Sequence, residues 1–262
     1  MHFARFALPL HLISDKDKEM EKKDELRLWK IRSTAGVVSD GYRLYASKFR
    51  LLLRSSWLAA ILYGLAFAWL MSTLIYHVLP LGVAAWIYGW ETIDWHSQTP
   101  ALCKIAASML TFLFMALLMA SYGLHGCRCY GRTGQFPRAP HWWGALPPLK
   151  SLSLLLKGFM WLFPRGLRHL GLLLVVGITT GIVTSVLTVV CEFPAFIIAI
   201  ANIEAYAGLT LGDELIMPPY LPWLTFGIFT LAGFVQAYVH LYTIFPPCYA
   251  YTSIEVGDST NL

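Results

Sequence analysis

The distribution of charge along the chain divides it before any motif does. Four stretches carry no Asp, Glu, Lys or Arg: 36 residues between Arg54 and Glu91, 23 between Lys104 and Arg128, 23 between Arg168 and Glu192, and 40 between Glu214 and Glu255. A helix needs roughly 20 apolar residues to cross a bilayer core. The spacing therefore predicts four spans, over Ser56–Leu79, Leu102–His125, His169–Val190 and Trp223–Phe245. The first stretch is about 54 Å long as a helix, too long for one crossing. Pro80 and Gly82 divide it and leave 81–98 as an outer loop bearing Trp86, Tyr88, Trp90 and Trp95, aromatics suited to a bilayer interface. Phe193–Gly212 is apolar but interrupted by Glu204, which predicts a re-entrant or interfacial segment over 193–212, with a tilted fifth element as the alternative. The "FPP" at Phe245 is read as the end of the fourth span.

A second periodicity precedes the first span. Val38, Tyr42, Tyr45, Phe49 and Leu52 fall on one helical face, and Arg43, Ser47, Arg50 and Arg54 on another. Such a helix lies in the headgroup layer with its arginines toward lipid phosphates, here turning into the span near Ser55–Ser56. The pattern recurs after Pro148, where Leu149, Leu152, Leu156, Phe159 and Phe163 form the apolar stripe beside Lys150 and Lys157, followed by Arg165 and Arg168. The reading is an all-α integral membrane protein of about four transmembrane helices with two amphipathic elbow helices, and with halves related as parallel repeats. Its parts are a polar segment 1–35, an elbow and hairpin 36–130, a loop 131–146, a second elbow and hairpin 147–250, and a tail 251–262.

Composition agrees: 57% of the 262 residues are hydrophobic and 13% charged, half the charged share of a soluble domain. Residues 1–54 hold twelve Lys/Arg and 126–168 hold seven, with no acid in the second stretch. The connections 81–103 and 192–222 hold six acids and no Lys/Arg. This alternation places both termini in the cytoplasm and makes an acidic outer rim of Glu192, Glu204, Asp213 and Glu214.

Candidate chemistry is sparse. Nucleotide-binding, zinc-protease and serine-hydrolase signatures are absent, so no catalytic, cofactor or metal residue is assigned. Cys127-x-Cys129 with His125 lacks the further ligand of a zinc site. For Cys103 and Cys191, at the predicted outer ends of two spans, a disulfide and an ordinary apolar role both stand open. Gly177, Gly181 and Ser185 form a small-residue face suited to helix packing. Gln236 and His240, one turn apart in the fourth span, and Glu204 are the candidate intramembrane polar site, with an interhelical bond from His240 to Thr184 or Ser185 as the structural reading. The basic faces suit anionic lipid; nucleic acid is disfavoured, since arginines and aromatics lie on different faces and a span follows at once.

"GVVSDGYRLYASKFRLLL", Gly36 to Leu53, resembles a loose group of bacterial integral membrane proteins that includes the membrane domain attached to some glycerophosphodiester phosphodiesterases. The resemblance implies a bacterial inner-membrane bundle. The chain departs from that group in having about four spans where six are usual, and in having no phosphodiesterase domain, so no catalytic residue carries over. The functional expectation is a non-enzymatic subunit or scaffold contacting membrane lipids and another membrane protein or a second copy. A small permease is the alternative.

Overall fold

The computed structural model describes residues 31–89, 91, 94, 97–133, 169–211 and 218–260. All regular structure among them is helical. Four stretches are long and apolar enough to cross a membrane: Thr34–Trp86, Thr99–Cys127, Leu170–Tyr206 and Leu221–Ile254.

Helix α1 (Thr34–Thr73) starts where the Ser33 hydroxyl accepts the Gly36 N–H at 3.3 Å. It runs unbroken past Ser55–Ser56, so the expected elbow does not turn there. The reason is local: Ser56 Oγ donates to the Leu52 carbonyl at 2.7 Å and Ser55 Oγ to that of Leu51 at 2.8 Å, which satisfies both hydroxyls inside the helix. The apolar face of the amphipathic segment is only partly covered by protein. Leu52 is fully buried and Tyr45 Oη donates to the Tyr238 carbonyl at 2.9 Å, while Tyr42 and Phe49 stay exposed; the most buried side is turned by one residue, to Val37 and Leu44.

Pro80 does not end the helix either. A π-helical turn over Leu74–Val78 leads into α2 (Leu79–Tyr88), with Pro80 in its first turn. The wider turn accommodates a proline ring and a missing N–H that a regular α-helix interior rejects. The chain breaks instead at Gly89, whose φ of 88° favours glycine. Trp86 and Tyr88 of the expected interfacial belt are exposed, while Trp90 and Trp95 lie outside the described residues.

Helix α3 spans Thr99–Thr133 and α4 spans Leu170–Leu211. The latter passes through Pro194 without interruption, which corrects the re-entrant reading of 193–212. In hydrocarbon each freed backbone group costs several kcal/mol, so losing the one bond at Pro194 is cheaper than reversing the chain. Helix α5 (Leu221–Tyr242) ends in a turn at Thr243–Ile244, and Phe245 opens α6 (Phe245–Thr260). The prolines of "FPP" thus start a helix, where their missing N–H groups need no intrahelical partner.

Helix α1 is the centre of the bundle. It is antiparallel to α5, with Ser56 beside Tyr238 and Phe67 beside Phe229, and antiparallel to α3, with Tyr63 and Phe67 against Phe112. Helix α6 prolongs this seam along the first turns of α1. There the Arg32 N–H donates to Ser253 Oγ at 3.0 Å, and the Arg32 guanidinium lies 4.7 Å over the Tyr249 ring and pairs with Asp40 at 2.6 Å. Helix α4 packs antiparallel on α5. The hairpins α1–α3 and α4–α5 resemble each other, but the halves are not interchangeable: α1 packs extensively on α5, whereas α3 and α4 share no comparable contact among the described residues.

The closest helix approach is α1 on α5. A Cβ on Gly64 would stand 2.6 Å from the Thr230 carbonyl oxygen, and one on Gly233 would stand 2.9 Å from the Gly64 Cα. Nothing lies within 4 Å of the same position on Gly177 or Gly181 of α4, and Ser185 is exposed. The small-residue face expected to pack helices therefore faces outward. The packing glycines are Gly64 and Gly233, which meet each other and share their helix faces with the buried Ala60, Ala68 and Ala237.

Candidate functional site

Polar side chains meet at two levels of the α4–α5 seam. Near one end, Asn202 of α4 donates through Nδ2 to Thr225 Oγ1 at 3.0 Å and to the Ile198 carbonyl at 2.7 Å, and its Oδ1 accepts the Tyr76 hydroxyl at 3.1 Å. Thr225 in turn donates to the Leu221 carbonyl at 2.8 Å. Asn202 is fully buried and both ends of its amide are bonded. This cluster joins the π-helical turn, α4 and α5, and its chemistry is complete.

The second level is less complete. Thr184, Thr188 and Glu192 recur every four residues and share one face of α4; Gln236 and His240 do so on α5. Gln236, 5% exposed, donates through Nε2 to Thr188 Oγ1 at 3.0 Å, and the same nitrogen stands 3.2 Å from His240 Nε2. An amide NH₂ only donates, so in this orientation the pair is a hydrogen bond when the imidazole carries its proton on Nδ1 and Nε2 accepts. Gln236 Oε1 and Thr184 Oγ1 are buried without a hydrogen-bond partner. From α1, the buried Tyr63 ring lies 6.2 Å from the His240 ring, edge to face.

Glu192 lies inside the Leu170–Tyr206 span, one turn beyond Thr188, rather than past the end of a span closing at Val190; this corrects its placement on the outer rim.

Gln236 and His240 thus come together as expected, and the interhelical bond reaches α4, though to Thr188 and from Gln236. Glu204 does not join them: it is exposed, twelve residues or about 18 Å beyond Glu192 on α4. Tyr63 and Asn202 are the members that sequence reasoning missed. Asn202 was visible as a lone amide in an apolar run. Tyr63 was not, because tyrosine is common in spans and only its neighbours single it out.

Among the lipid-contact candidates, Arg43, Arg50 and Arg54 are exposed on α1. Lys150, Lys157, Arg165 and Arg168 lie outside the described residues, as does the second elbow; of the expected loop 131–146, residues 131–133 belong to α3 and 134–146 lie outside the described residues. All five cysteines are free. Cys129 Sγ sits 3.6 Å from His125 Nε2 on the same helix, while Cys127 turns inward toward Cys248 of α6, so the two thiols of the C-x-C pair diverge. No group of three metal-ligating side chains occurs among the described residues. A depression of about 310 Å³ lined by Tyr76, His77, Pro80 and Gln98 opens at the far end of α1, away from Gln236 and His240. No family model, curated protein or solved structure matches the chain.

Proposed function

We propose that the chain is a non-enzymatic protein of the bacterial inner membrane, with both termini cytoplasmic, that acts as a subunit or scaffold of a membrane assembly. The observation that carries this reading is the outer surface of α4. Gly177, Gly181 and Ser185 are open on it, flanked by exposed Leu174, Ile178, Ile182 and Val186. Small residues that let backbones approach are the usual means of helix association in lipid, where apolar residues gain nothing by leaving the acyl chains. Exposed Arg43, Arg50 and Arg54 support contact with anionic headgroups, at about 1 kcal/mol each. The resemblance carried by Gly36–Leu53 agrees with the location and adds no activity.

The test is isolation from the native membrane in mild detergent. A co-purifying membrane protein, or a mass that is a multiple of the 29.5 kDa chain, is expected. Gly181→Leu removes that association and leaves a folded monomer. A monodisperse monomer from the wild-type protein overturns the reading.

The open acceptors Gln236 Oε1 and Thr184 Oγ1 favour one other reading, a small permease that uses the α4–α5 seam. Under it, flux into vesicles falls on substitution of Gln236 or His240 and is indifferent to Glu204, which is remote from both.

A further inference from the structure

We propose that Arg50, Arg54, Trp57, Ile61 and Leu65 of α1 form a binding site for one anionic phospholipid, its phosphate held between the two arginines and an acyl chain laid along the apolar residues. The site rests on the headgroup contact proposed above and narrows it to a single molecule. It follows from the unbroken course of α1. A helix turning at Ser55–Ser56 would lay Arg43, Arg50 and Arg54 side by side in the headgroup layer. Because α1 runs on, the three stand at different heights. Arg54 is the last charge before 36 uncharged residues, so hydrocarbon begins just beyond it. Arg50 is one turn back, about 6 Å along the axis, and Arg43 is about 16 Å back. A headgroup layer is roughly 5–7 Å deep on each side of the core, so Arg50 and Arg54 reach it together and Arg43 stands outside.

The two arginines lack an internal partner. Both are exposed, and neither makes an ion pair or a hydrogen bond among the described residues. Arg32, just before α1, shows the contrast: it pairs with Asp40 and its side chain is 4% exposed. Side chains four residues apart on a helix have Cβ atoms about 5–6 Å apart, and like charges at that spacing repel. One phosphodiester between the guanidinium groups accepts from both and removes the repulsion. A zwitterionic headgroup brings an ammonium to the same place and gains less.

The apolar half of the site continues on the same face. Trp57, Ile61 and Leu65 follow Arg54 at intervals of three, four and four residues. Trp57 comes first, at the core boundary, where an indole is well placed. These residues are also partly sheltered. They are 36–43% exposed, whereas Ile178, Ile182 and Val186 on the outer face of α4 are 55–61% exposed. An acyl chain along α1 therefore touches more protein than one passing α4, and each added contact is a small gain. A cationic foot below an apolar stripe matches an amphiphile. An acidic protein surface satisfies the arginines but does not reach Trp57 to Leu65, which face hydrocarbon.

The experiment is native mass spectrometry of the detergent-purified protein titrated with phosphatidylglycerol, phosphatidylcholine or glycerol 3-phosphate. One phosphatidylglycerol is expected to bind ahead of any further copy, and more tightly than either other probe. Arg50→Gln and Arg54→Gln are each expected to weaken that binding about fivefold, while Arg43→Gln stays within about twofold of wild type. Trp57→Ala weakens it several-fold, and Ile61→Ala carries the same expectation should Trp57→Ala fail to fold. Equal losses in Arg43→Gln and Arg50→Gln overturn the site and leave the headgroup contact standing, as attraction by the whole basic surface. Glycerol 3-phosphate binding as tightly as phosphatidylglycerol also overturns it, because the stripe then has no part. If no anionic lipid binds and a partner protein is retained instead, the site and the headgroup contact fall together.

Discussion

The apolar spans of α1 and α4 are similar in hydropathy and differ in what surrounds them. Both are long, apolar and rich in small residues, yet half of the α1 span is buried inside the bundle and only 11% of the α4 span is. Helix α1 meets α3, α5 and α6 over most of its length, leaving a lipid-facing stripe of Trp57, Ile61, Leu65 and Trp69. Helix α4 meets α5 along one edge and shows Ile, Leu, Val and Phe elsewhere. Hydropathy reports that a segment prefers lipid to water. It is silent on whether lipid or another helix supplies the apolar surroundings, because the two are nearly equivalent solvents.

The sharpest test of this contrast is the same substitution on both helices. Gly64→Ala places a methyl 2.6 Å from the Thr230 carbonyl, and neither backbone can move without parting α1 from α5. A loss of about 1–3 kcal/mol is expected. Gly181→Ala meets nothing within 4 Å and replaces a poor helix former by a good one, so a gain of about 0.5–1 kcal/mol is expected. Thermal unfolding of the monomeric protein in detergent measures both. Equal signs for the two variants break the comparison.

A smaller effect separates two polar residues of α4 that stand two positions apart. Asn202→Leu leaves the Tyr76 hydroxyl without its acceptor and Thr225 without a donor, at about 1–2 kcal/mol. Glu204→Gln changes an exposed side chain and is expected to stay within about 0.5 kcal/mol. A loss for Glu204→Gln as large as that for Asn202→Leu would falsify the assignment of the seam to the amide.

The sequence made the four spans legible because each is an uncharged run, and charge is the strongest determinant of what enters hydrocarbon. Two boundaries inside those runs were misread. Pro80 was treated as a stop, as in water, and Glu204 as the interruption of a separate segment, whereas a bilayer removes the alternative partners that make ending a helix worthwhile. The Gln236–His240 pair was legible from its four-residue spacing. The place of Glu192 was not: it borders a charge-free run and so looked terminal, and only the continuity of α4 through Pro194 puts it inside a span. Gly64 and Gly233 escaped notice although the spacing is present, in Ala60-x3-Gly64-x3-Ala68 and Gly233-x3-Ala237, because close approach is a property of two helices and one run of small residues does not say which partner it meets.

The least disruptive test lies within α1 itself, whose first turns have protein on one side and a basic surface on the other. Arg50 and Arg54 are exposed, while Leu44 and Leu52 are fully buried on the same helix. The double change Arg50→Gln, Arg54→Gln is expected to leave thermal stability within about 0.5 kcal/mol, since both side chains lie on the exposed side. Two basic residues near an anionic surface are worth about 2 kcal/mol. That corresponds to a roughly 30-fold weaker retention of anionic lipid. Native mass spectrometry of protein extracted from mixed anionic and zwitterionic bilayers reads this as loss of bound anionic lipid. Unchanged retention together with lowered stability gives the arginines to a protein neighbour, and makes α1 covered on both sides.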